Sequence, residues 1–226
     1  MGRAACAARA DTAREMILTT AERLFVEHRI PMCANHQSGE PPTPSVLGAV
    51  GYHFGTKTDL ARAIERTHGE RIERKRLQML AETDGSDVRD WVACLVKPVT
   101  EHLTDLGNPS WYARFCAQRM TDPARRGFPD REPHLSPALQ RIFEGLRQCG
   151  TDLPAEVHAE RSDMALQLIV HRCAERERTL AENASSSCPD WYDMATTLID
   201  AIVGLWLAPV SSRLRERTGP GAVKAR

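Results

Sequence analysis

Along nearly the whole chain apolar side chains recur at helical spacing, and the alternation of β-branched residues that builds a half-buried strand is almost absent. A period near 3.6 gives each helix one apolar stripe and leaves no material for a sheet, so the chain reads as all-α. Punctuation then divides it. Residues 11–28 form a first helix, with Thr12 as N-cap and Ile17, Ala21, Leu24 and Phe25 along one face. Thr56-Lys57-Thr58-Asp59 has the form of a capping box, and it opens a long helix through Leu60, Ala63, Ile64, Ile72, Leu77 and Leu80 that Asp84-Gly85-Ser86 ends. Further helices are predicted over 87–105, with a kink at Pro98, and over 110–121, 137–149, 154–181 and 189–213. The stretch 121–136, with Pro123, Pro129 and Pro133, reads as an ordered loop. No internal repeat is visible.

One segment breaks the pattern. Residues 29–46 hold Pro31, Pro41, Pro42 and Pro44 together with Gly39. Each proline removes a backbone donor and disfavours helix at the residue before it, so local rules make this a loop. Order returns at Leu47–Phe54, and Gly55 supplies a helix stop.

Charge gives no hint of a polyanionic partner. Lysine plus arginine and aspartate plus glutamate both total 30, so any affinity for nucleic acid must come from local placement. Over residues 1–55 the balance is again even, with Arg3, Arg9, Arg14, Arg23 and Arg29 against Asp11, Glu15, Glu22, Glu27 and Glu40. The seven cysteines are scattered and never spaced as C-x-x-C, which argues for a reducing compartment and against a zinc site or a disulfide frame. No run is long and apolar enough to span a bilayer, and the opening residues have no apolar stretch of secretory length, so the expectation is a cytoplasmic protein without a membrane partner. A phosphate-cradling glycine loop, H-E-x-x-H and G-x-S-x-G are all missing, so no catalytic residue, metal ligand or cofactor is assigned and the chain is not read as an enzyme.

The run Val50-Gly51-Tyr52-His53-Phe54-Gly55-Thr56-Lys57-Thr58-Asp59-Leu60 closely resembles the signature that ends the DNA-binding head of TetR-family transcriptional regulators. Lys57 in the first turn of a helix faces the positive end of the macrodipole, so its placement suits a contact elsewhere, such as a DNA phosphate. Tyr52 and His53 have polar tips that suit the same backbone, and Phe54 suits the core. The resemblance implies an N-terminal three-helix, helix-turn-helix head over residues 1–55, joined to a larger C-terminal helical ligand-binding and dimerisation domain over 56–226. By position Ser45, Val46, Leu47, Gly48 and Ala49 would open the recognition helix in the major groove. Only Ser45 among them is polar, and none can make a bidentate base contact, so readout would rest on van der Waals contact and DNA shape. The bracing helix departs from the family's pattern: Asn35-His36-Gln37-Ser38-Gly39-Glu40-Pro41-Pro42-Thr43 stands where an alanine-rich turn and a glycine bend belong. A proline inside so short a helix costs roughly 3 kcal/mol. The distance from His28 to Val50 nevertheless suits the family. Correct length beside altered chemistry has two readings: a diverged head, or a stretch translated out of frame between two compensating shifts.

The resemblance further implies a small-molecule effector held in the C-terminal domain and a homodimer built on the last two long helices. Trp91, Trp111, Tyr112, Phe115, Met120, Met164 and His171 are the candidate ligand contacts, with Arg114 or Arg119 to hold an anionic or carbonyl group. The stripes Val157, Met164, Leu168, His171 and Trp191, Met194, Leu198, Ile202, Leu205 have the spacing of packed helix faces. Val157, Leu168 and the five of the last helix are the candidate dimer contacts, although packing inside one chain produces the same spacing. The expected function is a ligand-responsive regulator, a repressor that binds a palindromic stretch of double-stranded DNA as a homodimer. The competing expectation is a TetR-like ligand- or protein-binding module that has lost sequence-specific DNA binding.

Overall fold

The computed structural model describes residues 2–27, 56–121, 136–149, 153–182 and 190–211, with the side chains of the first helix described from Glu15 onward. Among these residues there are seven helices and no strand: α1 (Gly2–Glu27), α2 (Lys57–Glu82), α3 (Val88–Leu106), α4 (Tyr112–Met120), α5 (Pro137–Cys149), α6 (Ala155–Ala181) and α7 (Trp191–Leu207). The all-α reading holds. No helix among the described residues is long and apolar enough to cross a membrane. The proline-rich segment and the helix expected at 47–54 lie outside the described residues.

Two ends differ from expectation. Helix α1 begins at Gly2, so Thr12 lies inside the helix rather than at its start. The run Gly2–Ala10 is alanine-rich, and alanine favours helix without contributing to an apolar period. Helix α7 stops at Leu207 rather than running to residue 213. Ala208 precedes Pro209 and is extended, with φ −59° and ψ 136°, because the pyrrolidine ring disfavours helical backbone at the residue before it. Pro98, by contrast, is accommodated inside α3 and is buried there.

The chain divides into two compact units. The first comprises Met1–Arg71, Leu106–Arg131 and Cys173–Ala184. Its core gathers Leu18, Ala21 and Phe25 of α1, Leu60, Ala61 and Ile64 of α2, Ala113 and Phe115 of α4, and Cys173 and Ala174 of α6. Phe25 and Phe115 meet with ring centroids 5.7 Å apart and planes tilted by 58°, a geometry that adds about 1 kcal/mol to the area the rings bury. The second unit comprises Ile72–Asp105, Glu132–Arg172 and Ser185–Arg226. Its core is Ile72 and Leu80 of α2, the Val92, Leu95, Val96 and Leu103 face of α3, Ile142 and Leu146 of α5, Val157 and Ile169 of α6, and Met194, Leu198, Ile202 and Trp206 of α7. Leu77 does not join the α2 stripe. It is 49% exposed, while Arg76, one residue earlier, is buried and bonds Glu73 at 3.3 Å.

Candidate functional site

The predicted DNA contacts Ser45, Val46, Leu47, Gly48, Ala49, Tyr52 and His53 lie outside the described residues; Lys57 does not. It sits exposed in the first turn of α2. The capping box that starts this helix is formed. Asp59 N–H donates to Thr56 Oγ1 at 3.1 Å, while Thr56 N–H and Thr56 Oγ1–H donate to Asp59 Oδ2 at 3.2 and 2.6 Å. These bonds from Thr56, side chain first and backbone second, hold the Asp59 carboxyl below its ordinary range. These bonds close the first turn, from which the exposed Lys57 projects.

In the first unit α4 carries most of the candidate ligand contacts. Its N-terminus has no cap of its own, since Trp111 makes no side-chain cap bond. Glu177 of α6, almost fully buried, supplies the acceptor: Ala113 N–H and Arg114 N–H donate to its carboxylate at 3.2 and 2.9 Å, and Ser110 Oγ–H at 2.8 Å. A carboxylate at a helix N-terminus meets both the orphan donors and the positive end of the dipole. Arg114 Nε–H adds a charged bond at 3.1 Å, and its Nη2–H donates to Ser110 O at 2.7 Å. Arg119 pairs with Glu65 at 2.9 Å. Both arginines that the sequence offers to an anionic ligand are thus bound to carboxylates of the chain itself.

Tyr112 and Phe115 are buried, and Trp111 and Met120 are half-buried. The Tyr112 ring stacks on His68, with centroids 3.9 Å apart and an angle of 16°, and His68 Nε2 lies 2.8 Å from Glu22 Oε1. Burial pushes the Tyr112 hydroxyl well above its ordinary value, and burial pushes the Cys116 thiol up to about 12 despite its hydrogen bond with Tyr112. Glu22, His68, Tyr112 and Glu177 make this unit's core polar as well as apolar. Sequence reasoning missed Glu22, His68 and Glu177, because they fall among ordinary surface-type residues of long helices.

In the second unit Trp91 donates its indole N–H to Gly85 O at 3.1 Å. A Cβ on Gly145 would lie 2.3 Å from the Trp91 ring, and one on Gly85 would lie 2.6 Å away. The indole is wedged where only glycines allow it. Gly85 also has φ +62°, which glycine alone adopts without strain. Met164, 48% exposed, and His171, also exposed, lie on α6. Glu73 plays for α5 the part that Glu177 plays for α4: Ala138 N–H donates to it at 3.0 Å and Ser136 Oγ–H at 2.5 Å. At the opposite end of α7, buried Arg161 donates to the carbonyls of Trp206 and Ala208, the latter at 2.5 Å, and closes the helix C-terminus.

The candidate dimer residues divide by burial. Val157, Met194, Leu198 and Ile202 are buried within the single chain, whereas Leu168, Trp191 and Leu205 are half-buried. The outward side of α7 carries Tyr192, 73% exposed, and Leu207, 66% exposed. Thr196 is exposed and Val203 half-buried along the same stripe.

Residues 93–204 match the family described as tetracyclin repressor-like, C-terminal domain. The match runs from the second turn of α3 into α7 and contains all of α4, α5 and α6. That sets the class of the helical body as a TetR-like C-terminal domain. It does not overlap the Val50–Leu60 signature, so the two ends of the chain point to the same assignment independently. Residues 93–204 thus belong with TetR-like C-terminal domains, which supports a TetR-family regulator. Neither a comparison with curated proteins nor one with solved structures returns a match.

Proposed function

We propose that the chain is a ligand-responsive, DNA-binding transcriptional regulator that acts as a homodimer on a palindromic operator, in the sense of a repressor. The observation that carries this reading is the TetR-like domain over 93–204, and Lys57, exposed on a capped first turn of α2, supports it. In this reading Tyr52, His53 and Lys57 hold phosphates, and Ser45–Ala49 enter the major groove. The outward stripe of α7, Tyr192, Thr196, Val203 and Leu207, takes the partner helix, and exposed Met164 of α6 adds apolar area. Half-buried Trp111 and Met120 of α4 meet the effector. An effector with higher affinity for one spacing of the two heads shifts the population away from the DNA-bound state.

DNase footprinting on the DNA upstream of its own gene tests the proposal. A protected palindrome, with half-sites about one helical turn apart or a multiple of that, is expected. Uniform or absent protection contradicts it.

The four prolines between residues 31 and 44 favour a second reading. A TetR-like ligand- or protein-binding module without a working recognition helix would keep the helical body and give no footprint.

A further inference from the structure

Arg176 lies on α6 within the first unit. Its Nε and Nη1 are both buried, and neither has a hydrogen-bond partner among the described residues. The carboxylates on either side of it are committed elsewhere. Glu175 Oε2 bonds Arg178 at 2.5 Å, and Glu177 bonds Arg114 at 3.1 Å. Arg114 and Arg119 of the same unit each have a carboxylate of their own. A guanidinium cannot shed its proton to escape burial, so withdrawing its donors from water without an acceptor is unfavourable unless something else supplies one. Its fork of N–H donors fits the oxygens of a carboxylate or a related oxyanion.

We propose that Arg176 anchors an anion-binding subsite in the first unit, one that takes the carboxylate or similar oxyanion group of a small organic ligand. Assigning that ligand as the effector rests on the ligand-responsive reading above; the subsite itself is tested without DNA. The chain is then predicted to be stabilised by anionic small molecules and indifferent to their neutral amides. Arg114 and Arg119 take no part, because their partners are already in place.

The test is thermal unfolding of the full chain at neutral pH and constant ionic strength, titrated with acetate or with acetamide, for the parent and for Arg176→Met and Arg176→Gln. Acetate should raise the parent midpoint saturably, as mass action on a folded-state site requires, while acetamide should not. Both variants should lose that response. Without acetate, Arg176→Met should unfold about 2–4 °C higher than the parent, because two buried donors, Nε and Nη1, have been replaced by an apolar chain of similar length. Equal acetate responses in parent and variants, or a lower midpoint for Arg176→Met, would overturn the proposal. A site that binds acetate in a protein that gives no footprint would leave the subsite standing and refute only the DNA-binding reading.

Discussion

Glu177 shows how one side chain can organise a unit. It is 1% exposed and accepts from Ser110, from two backbone N–H groups of α4 and from Arg114. Glu177→Ala would leave the Arg114 guanidinium and the α4 donors without their acceptor together. A loss of about 3–5 kcal/mol is expected, the range for breaking one side of a buried ion pair, and urea unfolding of the parent and the variant measures it. His158 titrates in a milder range. Burial first, and then the charges of Arg147 and Arg161, pull its pKa below the ordinary 6.5. The folded chain therefore binds fewer protons than the unfolded one. The contribution of His158 to stability is present above pH 6.5 and is lost as pH falls toward the lowered folded value. Thermal midpoints of the parent between pH 7.5 and 5 should fall more steeply than those of His158→Gln; parallel curves would show that His158 does not titrate in this way.

Helix boundaries were legible where a local bond makes them. The α2 start at Lys57 follows from Thr56 and Asp59, and α5 runs from Pro137 to Cys149 as its stripe and flanks require. Thr56→Ala should cost about 1 kcal/mol, the usual value for losing an N-cap hydroxyl. It should also speed amide exchange at residues 58–60, which checks that the effect is fraying at this end; unchanged exchange there would contradict it. The long-range caps of α4 and α5 were not legible, although Ser136 also caps α5 locally, accepting from Leu139 N–H at 3.3 Å. Their acceptors, Glu177 and Glu73, stand more than sixty positions away in sequence, and no local pattern encodes a carboxylate that arrives through packing. Trp91 is a related case: as an aromatic it suggested a ligand contact, but its place between Gly85 and Gly145 depends on which glycines packing brings to it. The α7 stripe identified a packed face correctly while leaving open which packing it served. Burial of Met194, Leu198 and Ile202 in the single chain assigns that face to the chain's own core, so the proposed dimer contact moves to the opposite side.

Taken as a whole molecule, the chain has a run at residues 50–60 that resembles the TetR signature and a TetR-like domain at 93–204. The family and the all-α class were readable because each rests on spacing that folding preserves. If the outward stripe of α7 is the dimer face, replacing Tyr192 and Leu207 by aspartate places charges where two apolar faces would meet. Sedimentation equilibrium should then give a dimer for the parent and a monomer of unchanged helicity for the double variant. A parent that is monomeric at tens of micromolar, or a variant that still dimerises, would contradict that assignment. DNA recognition is measured by fluorescence anisotropy with promoter DNA and a scrambled duplex at two salt concentrations. Saturable binding that prefers the promoter at both salts is expected, with Lys57→Ala weakening both duplexes alike and reducing the salt slope by about one. Weak binding that does not distinguish the two duplexes and vanishes at the higher salt would contradict it.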